Sequence, residues 1–181
     1  MVSITLCFAG CSQTDSSAGR LDVRPNTSWQ QNQLLIESGI EFEPSPAMLE
    51  ALEHGVALEL DVSARISRRL GPIARLQTLE ITQYRIRYLP LVEYWQLDVI
   101  EADGATTSQS YPRFWLLLDA LREPRLYSTG LVRDMLEHGR WQVQIRVELD
   151  RTALPAPMQL PSVIESEWRL TGPWHTWLYE R

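Results

Sequence analysis

The chain contains no lysine: all 17 basic side chains are arginine, and 23 acidic residues outnumber them to leave a net charge of −6. A nucleic-acid surface needs an excess of basic groups to displace counterions, so this balance excludes nucleic acid as a partner. Cysteine is also scarce. Cys7 and Cys11 both lie in the first eleven residues, which leaves the rest without a disulfide or a thiolate metal site. The three histidines, His54, His138 and His175, show neither HxH nor HExxH spacing, so no metal centre is expected. Also missing are GxSxG, SxxK and a phosphate-cradling glycine loop, and GPI and GPW are turn punctuation. No catalytic residue and no cofactor is therefore implied. No stretch approaches the ~20 apolar residues of a spanning helix.

What is present begins with an apolar N-terminus, MVSITLCFAG, running into Cys11 and then SQTDSSAGR. Phe8-Ala9-Gly10-Cys11 resembles a bacterial lipobox, with Phe8 where leucine is usual. The resemblance implies lipidation of Cys11, anchoring at a bacterial membrane, and a periplasmic-side address. Ser12 after the cysteine, in place of aspartate, directs by the usual sorting rule to the outer membrane. A basic n-region is missing and the apolar run is short for a secretion signal, which leaves two alternatives: a start codon upstream, or a secreted domain without lipid. Residues 1–11 then form a signal-peptide remnant. Residues 12–32, polar and without apolar periodicity, read as a flexible tether, and 33–181 as a single β-rich domain.

From Leu34 the pattern becomes regular. Leu34, Ile36, Ile40 and Phe42 alternate with polar residues as in a half-buried strand. Ser45-Pro46 is an N-cap and first helical position, and Met48, Leu49 and Leu52 form a stripe ending at His54-Gly55. Val56 to Ser67 alternates without interruption, and so does Trp141 to Leu149. Between them lies a long hairpin, Leu76 to Tyr88 with Val92 to Ile100, turned at Pro90. Its first arm changes phase, which predicts a bulge near Thr82-Gln83. Asp103-Gly104 marks a turn, Thr106 to Ser110 a short polar edge strand, and Tyr111-Pro112 opens a helix with Phe114, Leu117, Leu118 and Leu121 on one face. Arg68 to Ile73 reads as a loop, Leu126 to Gly139 is ambiguous with a helical turn near Leu131, and Glu167 to Thr171 reads as a last strand. The final Trp174, Trp177 and Tyr179 fit either a strand or an aromatic lid. The sum is an α+β domain, mainly antiparallel β, with six to seven strands in a sheet or sandwich and two short helices packed on it.

Function has one foothold in the hairpin, where Tyr84, Arg85, Arg87, Tyr88, Tyr94 and Trp95 crowd together. Such residues are enriched at binding hot spots. They also form cross-strand core pairs, and strand alternation requires some of them to point inward. The acid pairs Glu59/Asp61 and Glu148/Asp150 lie on the polar faces of their strands and read as solvated surface. His54 and His138, each followed by glycine, read as cations at helix C-termini.

Taken in order, IEFEPSPAMLEALEHGVALELDV, YRIRYLPLVEYWQL, YPRFWLLLDAL and GRWQVQIRVELDRTALPAPMQL with ESEWRL resemble the bacterial family of exported proteins carrying the domain of unknown function DUF4390. The similarity runs from about Leu34 to Trp174. It implies export, transfers no catalytic residue, and gives a sensor histidine kinase of the envelope as a lead to a partner. The expected role is a non-enzymatic protein-binding or accessory module at the membrane. The alternatives are a periplasmic carrier or sensor of an apolar ligand, which needs a sizeable cavity, and a small enzyme of unrecognised type.

Overall fold

The computed structural model describes residues 19–70, 73–156 and 166–180. Cys11, with the rest of residues 1–18, and the Gly71-Pro72 turn lie outside them. Among the described residues nine strands are present, in two sheets. The smaller has the order β1-β2-β7 and the larger β6-β5-β4-β3-β8-β9, all pairings antiparallel. The strands are β1 Arg20–Gln30, β2 Gln33–Glu43, β3 Leu58–Leu70, β4 Ile73–Leu89, β5 Tyr94–Ile100, β6 Thr106–Tyr111, β7 Arg125–Val132, β8 Arg140–Leu149 and β9 His175–Tyr179. Two helices complete the fold: α1 Pro46–Glu53 and α2 Phe114–Arg122.

Alternation explains the layers. The even residues of β2 (Leu34, Ile36, Ile40, Phe42), those of β3 (Leu58, Leu60, Val62, Ala64, Ile66) and the odd ones of β8 (Val143, Ile145, Val147, Leu149) are buried in one shared core. Helix α1 starts where Ser45 Oγ accepts from the Met48 amide at 3.2 Å, and it stops where Gly55 adopts φ +83°. It buries Met48, Ala51 and Leu52. Helix α2 buries Leu117 and Leu121 and packs against β2, β5 and β6.

The α+β class with its antiparallel sheets holds; five local readings are corrected. Residues 20–30 are strand β1, not tether: Leu21 pairs with Phe42 and Val23 with Ile40. Pro25 is tolerated because β1 is an edge. Gln31 and Asn32, both with positive φ, close a two-residue hairpin. Arg125–Val132 is strand β7, and only Arg133–His138 is helical, as a 3-10 turn. These two strands raise the count from six or seven to nine. The expected loop at Arg68 to Ile73 is strand on both sides, with Leu70 paired to Ile73. Glu167 to Thr171 is a short 3-10 turn and one bridge, Thr171 to Glu148, whereas Trp177 and Tyr179 belong to β9 and Trp174 lies just before it. The phase change in β4 is real, but its bulge lies at Leu79, skipped between the pairs Arg65–Thr78 and Ala64–Glu80.

One buried polar contact ties the sheets together. The hydroxyls of Tyr84 on β4 and Tyr127 on β7 are 2.8 Å apart. Burial pushes the Tyr127 phenol well above its ordinary value of 10.0, and the neighbouring Tyr84 adds to the shift. Burial also raises Tyr84. A raised phenol binds its proton longer in the folded state than in the unfolded chain, so stability is full below pH 10.0 and falls as pH rises above it. Urea unfolding between pH 8 and 11 is expected to show this fall. In the double variant Tyr84→Phe/Tyr127→Phe the slope should flatten, and an unchanged slope would rule the pair out as its source.

Candidate docking surface

The six aromatic and basic hairpin residues do not form one patch. Tyr84 and Trp95 are buried in the core and Tyr88 packs against it, whereas Arg85, Arg87 and the exposed Tyr94 point the other way. Trp95 sits between Tyr88 and Phe114, with ring centroids 4.8 and 4.5 Å away. These are the offset contacts that aromatic rings favour in a core.

The outward side of the large sheet is a web of paired charges. Arg85 Nε donates to Glu59 Oε1 at 2.6 Å, and Arg87 Nη2 to Asp98 Oδ2 at 2.8 Å. Asp98 also accepts from Ser108 Oγ at 2.6 Å and Gln96 Nε2 at 2.7 Å. Burial alone would raise its carboxyl; the two hydrogen bonds and the Arg87 charge outweigh that and hold it below 3.8. The guanidiniums of Arg65 and Arg146 stack on Trp174, 4.2 and 4.5 Å from its centroid. Asp61 differs: burial raises its carboxyl, a Gln83 hydrogen bond opposes this, and Asp150, Glu148 and Glu59 push it further up. It is half-buried rather than fully solvated. Among the described residues no group of acids, histidines and cysteines has the geometry to hold a metal ion.

The residues that stand out were not picked from the sequence. At the β4–β5 turn Leu91 is 100% exposed and Val92 58%, followed by Tyr94 at 43%; Trp115 on α2 is 60% exposed. The β4–β5 turn and the start of α2 are neighbours, because Tyr111 pairs with Trp95 and Phe114 stacks on that same ring, while Tyr94 faces the other side of the sheet. Tyr94 and Trp115 are the chain neighbours of Trp95 and Phe114. Pro90, Glu93, Pro112 and Arg113 are exposed around them. The signal was available in LPLVEY: a turn should be polar, and a run of exposed apolar residues there has a cost that folding does not explain.

Two recesses lie elsewhere. One, of about 470 Å³, is open at the β8–β9 edge and is lined by Arg140, Trp141, Gln142, Tyr179 and Glu180 among others. An ion pair between Arg140 and Glu180, 2.7 Å long, sits in its wall, which suits an apolar ligand poorly. The other, of about 140 Å³, lies between β6 and the end of α2; Leu97, Val99 and Tyr84 line it together with Thr107, Gln109 and Arg125. His54 Nδ1 donates to the Glu50 carbonyl, 2.7 Å away at the end of α1, in line with its expected place. His175 instead bridges β9 to Asp22 on β1 at 2.8 Å, and the His138 side chain lies outside the described atoms.

These features define a predominantly antiparallel two-sheet α+β domain with one shared apolar core, a charged outer sheet face and exposed apolar residues at the β4–β5 turn. The chain belongs to the family defined by the domain of unknown function DUF4390, whose model matches residues 23–178. The match starts inside β1, which supports that strand as part of the domain. No curated protein matches the chain, and no solved structure does.

Proposed function

We propose that this protein is a non-enzymatic docking module of the bacterial envelope that engages a protein partner through its apolar end. The observation that carries the reading is the exposure of Leu91, Val92, Tyr94 and Trp115, by 43–100%, at the β4–β5 turn and the start of α2. Burying such residues against a partner returns about 25 cal/mol per Å² of apolar surface, and tryptophan and tyrosine are preferred anchors. A carrier of an apolar ligand is supported less well, because the larger recess is open and lined by an ion pair.

The test uses photo-crosslinking from position 92 in cells. A discrete partner adduct is expected with the native chain, and Leu91→Ser/Trp115→Ser should cut its yield at least about ten-fold. The variant should keep the native Tm, because both side chains are already in water. An undiminished adduct would remove the apolar end from the interaction.

The address rests on Cys11, which we propose is lipidated. Two or more acyl chains, at ~0.8 kcal/mol per buried methylene, would hold the protein on a membrane. The native chain should enter the detergent phase and carry the mass of a lipid, and Cys11→Ser should do neither. Equal masses and equal partition as soluble protein would leave a secreted domain in its place.

A further inference from the structure

We propose that β6 is a strand-addition site: an extended segment of a partner protein pairs with its outer edge, unpaired among the described residues, and places one aliphatic side chain in the cleft between β6 and α2. The proposal rests on the docking reading above and names the directional part of that contact.

A sheet edge carries a row of unpaired backbone donors and acceptors, and natural proteins blunt it with charge, proline, bulges or a cover. Three of the four edges here are blunted. Strand β1 carries Arg20, Asp22, Arg24 and Pro25, and it is braced to β9 by the His175–Asp22 contact of 2.8 Å and by Tyr179 Oη donating to Thr27 Oγ1 at 2.7 Å. Those same contacts tie down β9, which is only 5 residues long. Strand β7 carries Arg125, has Gly130 at φ +68°, and its register with β2 shifts near Gln33. Strand β6, TTSQSY, has no charge, proline or glycine and pairs with β5 in unbroken register from Thr106 to Tyr111. Its first five residues are exposed. It offers a straight edge about 20 Å long.

The cleft supplies the chemistry of the partner. Ser108 faces outward onto Asp98, so Thr107 and Gln109 face inward, and both line the cleft. Its floor is apolar, Leu97 and Val99, and Ala120 and Pro124 stand across it, while Tyr84, Glu123 and Arg125 complete a partly polar wall. At about 140 Å³ it is below the ~300 Å³ of small-molecule sites and fits a side chain. An added strand turns every second residue inward, so the fitting segment is neutral, extended, and aliphatic at one inward position between polar ones. A second copy of this chain fits less well: a paired β6 would present Thr107, Gln109 and Tyr111 inward, none of them aliphatic, and each copy brings a charge of −6.

The test pans phage-displayed random peptides of about twelve residues on the full chain, and the strongest binder is then synthesised. Expected are peptides that alternate apolar and polar residues, slowed hydrogen exchange of the β6 amides in the complex, and a Kd raised about ten-fold or more by Thr107→Lys. Because Thr107 is exposed, the fold should survive; Gln109→Lys gives an independent second variant. Leu178→Ser, on β9 at the opposite edge of the large sheet, should leave the peptide Kd unchanged. Strand addition is overturned if no peptide exceeds a scrambled control, or if both lysine variants bind as the native chain does. It is equally overturned if the β6 amides exchange unchanged in the complex, or if they are already slowed in a concentration-dependent dimer. A failed crosslink at position 92 with these results intact would overturn the apolar end alone.

Discussion

Phe42→Ala is expected to lower stability by about 3–5 kcal/mol, the largest effect of any single truncation proposed for this chain. Phe42 is 1% exposed, at the end of β2, and pairs across the strand with Leu21. Truncation removes the burial of the ring and leaves a cavity walled by two sheets, neither of which can close on it without moving the other. Natural domains hold only about 5–15 kcal/mol in reserve, so the variant should lose a large share of it. In urea the midpoint should fall while the slope stays constant, and Tm should drop by about 10 °C or more. A loss below about 1 kcal/mol would mean that the three-stranded sheet is not packed on the large one as described.

Gly39→Ala should come next, at about 1–3 kcal/mol or more, and its sign is set by space alone. Gly39 is not among the residues with positive φ, so alanine suits its backbone, and at an open site the change would stabilise by about 0.4–1 kcal/mol. Here an added Cβ would lie 2.2 Å from the Arg122 carbonyl oxygen and 2.7 Å from its carbonyl carbon. Those are backbone atoms at the last turn of α2, with no rotamer to move aside. The helix end and the start of β7 must shift together, and native-state hydrogen exchange should locate the loss there. Gly55→Ala is the useful contrast. Nothing lies within 4 Å of its Cβ, but its φ is +83°, so its cost is conformational, about 1 kcal/mol, and confined to the end of α1. A neutral or stabilising Gly39→Ala would refute the close approach of α2 to β2.

How far the sequence carried the reading can be judged at particular residues. Strands β2, β3 and β8 were legible because one of their faces is apolar at every second residue and the other is not. Helix α1 was legible because its cap, its first-turn proline and its terminal glycine are all local signals. The outward carboxylates Glu59 and Glu148 were read as surface and are paired there with Arg85 and Arg146. By contrast, β1 offers few apolar residues and a proline, and β7 offers Leu126, exposed, beside Tyr127, buried. Both qualify as strands through hydrogen bonds that β2 supplies across the sheet, which no window on their own residues contains.

The candidate site divides in the same way. Sequence alone determined that Tyr84 and Arg85 must face opposite sides, because a strand has period two. It could not decide which aromatics would be covered. Trp95 and Trp115 are alike in composition and in setting, each beside another aromatic residue, yet Trp95 is 8% exposed and Trp115 60%. The difference is that Phe114 and Tyr88 close over Trp95 from two separate elements, whereas Trp115 lies on the side of α2 away from Leu117 and Leu121. Burial belongs to the contact between elements rather than to a residue, so only the tertiary structure could leave Leu91, Val92, Tyr94 and Trp115 exposed and β6 open beside them.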